Sequence, residues 1–183
     1  MLRYLLLLAA MAGPARADDT GPQLWGKIHE VFSHPRCANC HVGPDNVPMW
    51  SGASLGAQPR PHGMNINGGA SRIGAEYVAC GTCHAPRNSA LPHGAPGAEM
   101  WRLAPVDMQW FGRSSAEICS QIKDPLRNGG RTLAAVAEHI EHDALVHWGW
   151  APGPGREPAP YSAAELAGFI RRWDAAGAPC PDD

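Results

Sequence analysis

After its first dozen residues the 183-residue chain has no long apolar run, and it has no excess of basic charge and no stretch of clear apolar–polar alternation. Each absence excludes something. A membrane-spanning helix needs about 20 apolar residues, so none is expected downstream of the N-terminus. Lys and Arg number 15 against 17 Asp and Glu, a formal charge of −2, and nucleic acid as a partner would call for a basic surface. Without period-two alternation, strands should be few. Apart from one five-residue pattern that occurs twice, repeats and low-complexity tails are also missing. What is plentiful is Gly, at 21, and Pro, at 18, well above ordinary usage. A chain so rich in turn-formers struggles to bury a core from its own side chains.

The N-terminus has the layout of a secretory signal peptide. Arg3 is followed by the apolar stretch from Tyr4 to Ala12, and Ala15-Arg16-Ala17 forms an A-x-A cleavage site. Residues 1–17 are expected to be removed and 18–183 to form one domain. Cleavage takes away Arg3 and Arg16, leaving 13 basic against 17 acidic residues, a charge of −4.

Two short segments carry the chemistry. Cys37-Ala-Asn-Cys40-His41 and Cys80-Gly-Thr-Cys83-His84 both read Cys-x-x-Cys-His. This is the attachment pattern of c-type haem: the two thiols add to the haem vinyl groups and the next histidine reaches the iron. Two matches in an exported chain predict two covalent haems, each a large apolar body around which a Gly/Pro-rich chain can wrap. Attachment of this kind takes place outside the bacterial cytoplasm, in agreement with the export signal, so a periplasmic location is expected. A zinc site built from the same four cysteines leaves the histidine after each pair, and the export signal, unexplained.

Four of six cysteines are thereby spent. In an oxidising compartment the remaining two, Cys119 and Cys180, are expected to form a disulfide; the alternative is two separate buried thiols.

His41 and His84 supply one axial ligand per iron. The opposite face decides between an electron carrier, with both irons closed by Met or His, and an enzyme with an open iron. Met64, Met108 and His139 lead the candidates, followed by His62 and His142, with Met49 and Met100 also in loops. The competing reading of each Met is packing. Trp148 and Trp150 read as packing against haem or as a docking edge. His34 and His93 read as solvated surface, and Arg60 as surface or a partner for a haem propionate.

The predicted architecture is all-α and loop-rich, with short helices wrapped around the haems. Helices are expected over 22–34, over 71–79, after the capping box Ser114–Glu117 to before Pro125, over 131–147, and from Ser162 to Gly177. Residues 42–70, 85–107 and 148–160 are expected to be loops, and Asn128-Gly129-Gly130 a turn.

Several segments together resemble a group of small secreted dihaem cytochromes described as the subunit of isoquinoline 1-oxidoreductase-like enzymes. They are the two haem motifs, His62-Gly63-Met64-Asn65, Leu103-Ala104-Pro105, the run from Lys123-Asp124-Pro125 to Asn128-Gly129-Gly130, and His139 to Asp143 followed by Leu145-Val146 and Trp148-Gly149-Trp150. The resemblance implies a partner role: a molybdenum hydroxylase would oxidise its substrate and pass electrons through the haems. Such hydroxylases carry molybdopterin and iron–sulfur subunits, and with four cysteines assigned to haem this chain has nothing to hold either. The expected function is therefore electron transfer from a partner oxidoreductase towards the respiratory chain. The alternative is a peroxidase-like dihaem enzyme, with His62 or His142 and Glu141 or Asp143 as acid–base groups above an open iron.

Overall fold

A computed structural model describes residues 19–182. The expected signal peptide, its cleavage site and Asp18 lie outside the described residues. Among the described residues no helix is long and apolar enough to cross a membrane.

Among the described residues, six helices and one hairpin are joined by long connections. The helices are α1 (Gly21–Phe32), α2 (Pro35–Ala38), α3 (Ser115–Lys123), α4 (Leu133–His142), α5 (Ala144–His147) and α6 (Ala163–Ala175). The hairpin pairs β1 (Met49–Gly52) with β2 (Gly56–Pro61), antiparallel, in the register Met49 to Pro61 and Trp50 to Arg60. Short 3₁₀ turns cover Gly63–Asn65, Cys80–Thr82 and Trp148–Trp150.

The core is the meeting of α1, α3, α4 and α6. Leu24, Ile28 and Val31 of α1 face Ile118 and Ile122 of α3, Ala137 and Ile140 of α4, and Leu166, Ile170 and Trp173 of α6. These recur at helical spacing, so each helix has one apolar stripe to bury. Capping boxes start α3 at Ser114 and α6 at Ser162, where the serine hydroxyl accepts from the Glu117 or Glu165 amide. Cys119 and Cys180 form a disulfide, with Cα atoms 5.7 Å apart, tying α3 to the chain beyond α6.

Three local expectations need correction. The stretch 42–70 contains the hairpin. Its strands are marked by no alternation, and β2 carries Pro59 and Pro61, which a two-stranded edge tolerates because half its amides face outward. Residues 71–79 form turns, not a helix. Arg72 and Gly74 are both left-handed, at φ 63° and 73°, a Cβ on Gly74 would meet the Val78 carbonyl at 2.4 Å, and Ser71 binds the Glu76 carboxylate. The helix predicted over 131–147 is two helices. Asp143 is extended, and its carboxylate accepts from the Leu145 and Val146 amides, capping α5.

Candidate functional site

The two Cys-x-x-Cys-His segments adopt one backbone turn, although their surroundings share nothing in sequence. In the first, the Cys37 carbonyl accepts from the amides of Cys40 (3.1 Å) and His41 (3.3 Å). In the second, the Cys80 carbonyl accepts from Cys83 (3.2 Å) and His84 (3.0 Å). A helical turn sets residues three and four apart on one side, so each turn gathers two thiols and an imidazole. The first follows α1 almost directly, with Pro35 at the start of α2 and the His34 ring accepting from the Arg36 amide.

The imidazoles are oriented alike as well. His41 Nδ1 donates to the Met108 carbonyl at 2.8 Å, and His84 Nδ1 to the Pro96 carbonyl at 2.7 Å. Each ring lies flat against an indole: His41 on Trp110, with centroids 3.4 Å apart and planes 1° from parallel, and His84 on Trp101, at 4.6 Å and 3°. With Nδ1 engaged, Nε2 is the nitrogen left for a metal, and a backbone carbonyl behind the ring is the usual way a ligating histidine is held. Burial pushes His41 down to about 3, overcoming the Met108 carbonyl, which favours the protonated ring. Burial lowers His84 too. Both are neutral at neutral pH, the form that binds metal.

Burial raises the Cys37 thiol to about 12 and the Cys40 thiol to about 11. A nucleophilic cysteine is tuned the opposite way. The four motif cysteines are free. Among the described residues they do not converge on one ion: the single group of three or more ligating side chains within 4.8 Å is Glu138, Glu141 and His142. A zinc site of four thiols would need all of them within reach of one ion.

A cavity of about 350 Å³ opens between the two motifs, bordered by Cys40 from the first and Cys80, Cys83 and His84 from the second. Its size lies within the range for cofactor-sized ligands. Trp101 and Trp148 meet edge to face at 5.0 Å on its wall. Arg36 reaches it from α2, only 5% exposed, with Nη2 bonded to the Ser51 carbonyl (3.2 Å) and to Glu157 (3.0 Å). Arg36 Nε is buried and has no partner. A buried guanidinium with a spare donor suits a carboxylate-bearing occupant. Matching turns, matching imidazole tautomers, an apolar cavity and that orphaned donor all fit covalently attached haem.

Arg72 ties the loops together. Its guanidinium donates to the carbonyls of Val42, Gly43 and Ala104 and to Asn46, fastening the chain after the first motif to the strap that returns over His41. That strap closes when the Trp110 and Phe111 amides bond the His41 carbonyl.

The expected sixth ligands are scattered. Met64 is at the cavity rim with 79% of its surface exposed and a left-handed backbone. Met108 is packed in the core, and its carbonyl is the one holding His41. His139 stands on α4 beside Asp143, near enough for its charge to act on His41. His62 faces His84, ring centroids 6.0 Å apart. The other groups considered for acid–base work are engaged away from the cavity: His142 pairs with Glu138, Glu141 with Arg171, and Asp143 caps α5. Trp148 is a cavity wall and Trp150 packs against the core. Trp101, Trp110, Arg36 and Arg72 were not foreseen as parts of the site. Contacts to backbone carbonyls leave no signature in spacing, so only the fold reveals them.

No protein-family model, curated protein or solved structure matches this chain.

Proposed function

We propose that this chain is a periplasmic electron-transfer protein carrying two covalent c-type haems. The observation that carries the reading is the duplication of one local arrangement on unlike sequence: the same turn, the same Nδ1-to-carbonyl bond and the same flat indole at His41 and His84. Cys37 and Cys40 would anchor one haem and Cys80 and Cys83 the other, with His41 and His84 as proximal ligands. Bound haem supplies reversible one-electron chemistry at a potential set by axial ligands and burial.

The remaining groups of the site support that role. The carbonyls of Met108 and Pro96 hold the imidazoles in one tautomer and orientation. The indoles keep water from one face of each ring. Arg36 offers a buried cation at the cavity wall. Cys40 and Cys80 border the same cavity, so the two attachment points adjoin, as a short electron wire requires. We assign the donor side to a partner oxidoreductase, such as a molybdenum hydroxylase, on the resemblance noted above, and the acceptor side to the respiratory chain.

The test is the mass and spectrum of the protein made in a host that matures c-type cytochromes. The mature chain should weigh the polypeptide from residue 18 plus two haems. It should titrate reversibly and ignore CO. A protein with no haem would overturn the proposal, and CO binding in the wild type would favour the peroxidase-like alternative.

A further inference from the structure

Resting on the reading above, we propose that His62 is the sixth ligand of the haem attached at Cys80 and Cys83, which would then sit between two imidazoles, His84 and His62. Three observations meet there. The centroids of the two rings are 6.0 Å apart. Two metal–imidazole bonds of about 2 Å, with roughly 1 Å more from each nitrogen to its ring centre, place trans imidazoles about 6 Å apart, so the gap has room for one iron. Both rings border the same cavity as Cys80 and Cys83. His62 Nδ1 lies 2.9 Å from the Gly63 carbonyl, the bond His84 makes to Pro96, which leaves Nε2 as the free nitrogen of both rings.

The hairpin explains how a residue over 20 positions upstream arrives opposite His84. His62 directly follows β2, and its amide donates to the Pro48 carbonyl at 2.8 Å, just before β1. The ring is therefore delivered by the hydrogen-bonded end of the hairpin. Met64, two residues on, is turned out at 79% exposure. A thioether placed so openly would have to cross the rim to reach an iron that an imidazole already faces. Ligation by a second imidazole also sets this haem at a lower potential than a thioether would.

The experiment compares the wild type with His62→Ala, His62→Met and Met64→Ala, all produced as the full chain with haem maturation. Intact mass comes first. A wild type without haem would sink the dihaem reading itself, whereas two haems leave the ligand question to spectroscopy. Electron paramagnetic resonance and near-infrared magnetic circular dichroism of the ferric protein should show a low-spin bis-imidazole centre. His62→Ala should lose it, gain a high-spin centre and bind CO at one haem, and added imidazole should restore the low-spin signal. His62→Met keeps the question answerable should the alanine variant mature poorly: the centre should take on a sulfur-ligated spectrum and a higher potential. The assignment is overturned if His62→Ala retains the bis-imidazole signature with both haems attached, or if Met64→Ala, and not His62→Ala, opens the site.

Discussion

Arg36 shows what a single residue contributes to this site. Its guanidinium is almost wholly buried, and Glu157 is the carboxylate that neutralises it. Burial alone would raise the Glu157 carboxyl, but hydrogen bonds from Ser54, from its own backbone and from Arg36 prevail and hold it at about 2. A carboxyl held low in the folded state stabilises that state above its unfolded value of 4.5, and the contribution disappears as pH falls towards 2. Thermal melts of wild type and Glu157→Gln should therefore differ at pH 6 and converge near pH 2. At neutral pH the variant leaves Arg36 buried without its counter-charge, and denaturant unfolding should show a loss of about 2–3 kcal/mol. Equal curves at pH 6 would show that the pair does not support the fold.

The helices stand on their ends as much as on their stripes. α6 touches both α1 and α4, and it begins where the Ser162 hydroxyl accepts from the Glu165 amide at 3.2 Å. Ser162→Ala should cost about 1 kcal/mol in denaturant unfolding, and Ser162→Asp should recover most of it. The disulfide works on the same framework from the other side. Cys119 and Cys180 are 61 residues apart, and closing a loop of that length is worth roughly 4 kcal/mol in the chain-entropy view. Cys119→Ser with Cys180→Ser should lower stability by about that amount while leaving the proposed haem content at two, because neither cysteine borders the cavity between the two attachment turns. Loss of haem in that variant would mean that the loops depend on the disulfide.

The molecule divides into a helical platform and a set of straps. Residues 42–110 contain the second attachment turn, both imidazole-holding carbonyls, both indoles and the hairpin, yet few of their side chains enter the core. Their order comes instead from hydrogen bonds such as those of Arg72, and from the apolar cavity they enclose. The exterior is acidic, with a charge of −4 from residue 18 onward. A redox partner with a basic patch should dock faster at low salt. Reduction of the haems by such a partner, followed by stopped flow, should slow between about 0.01 M and about 1 M salt, where the screening length falls from roughly 30 Å to roughly 3 Å. A salt-independent rate would point to an apolar docking face.

The local signals in the chain determined much of this. Capping boxes at Ser114 and Ser162, the stripe of α1 and the adjacent Cys and His of each motif depend on neighbours within a few residues, so they can be read without the fold. The pairing of Cys119 with Cys180 followed from counting thiols. Other features were decided by tertiary structure alone. The hairpin over 49–61 shows no apolar alternation because Ser51, which β1 buries, is polar, so only its pairing identifies it. The turns at 71–79 depend on Arg72 reaching Val42 and Ala104. The stacking of Trp101 and Trp110, the carbonyls behind His41 and His84, and the meeting of His62 with His84 all join residues far apart in sequence. His62 and Met64 are the clearest case. They stand two residues apart on one loop, the sequence put Met64 ahead, and the hairpin brings the His62 ring to face His84 while Met64 at the rim is 79% exposed.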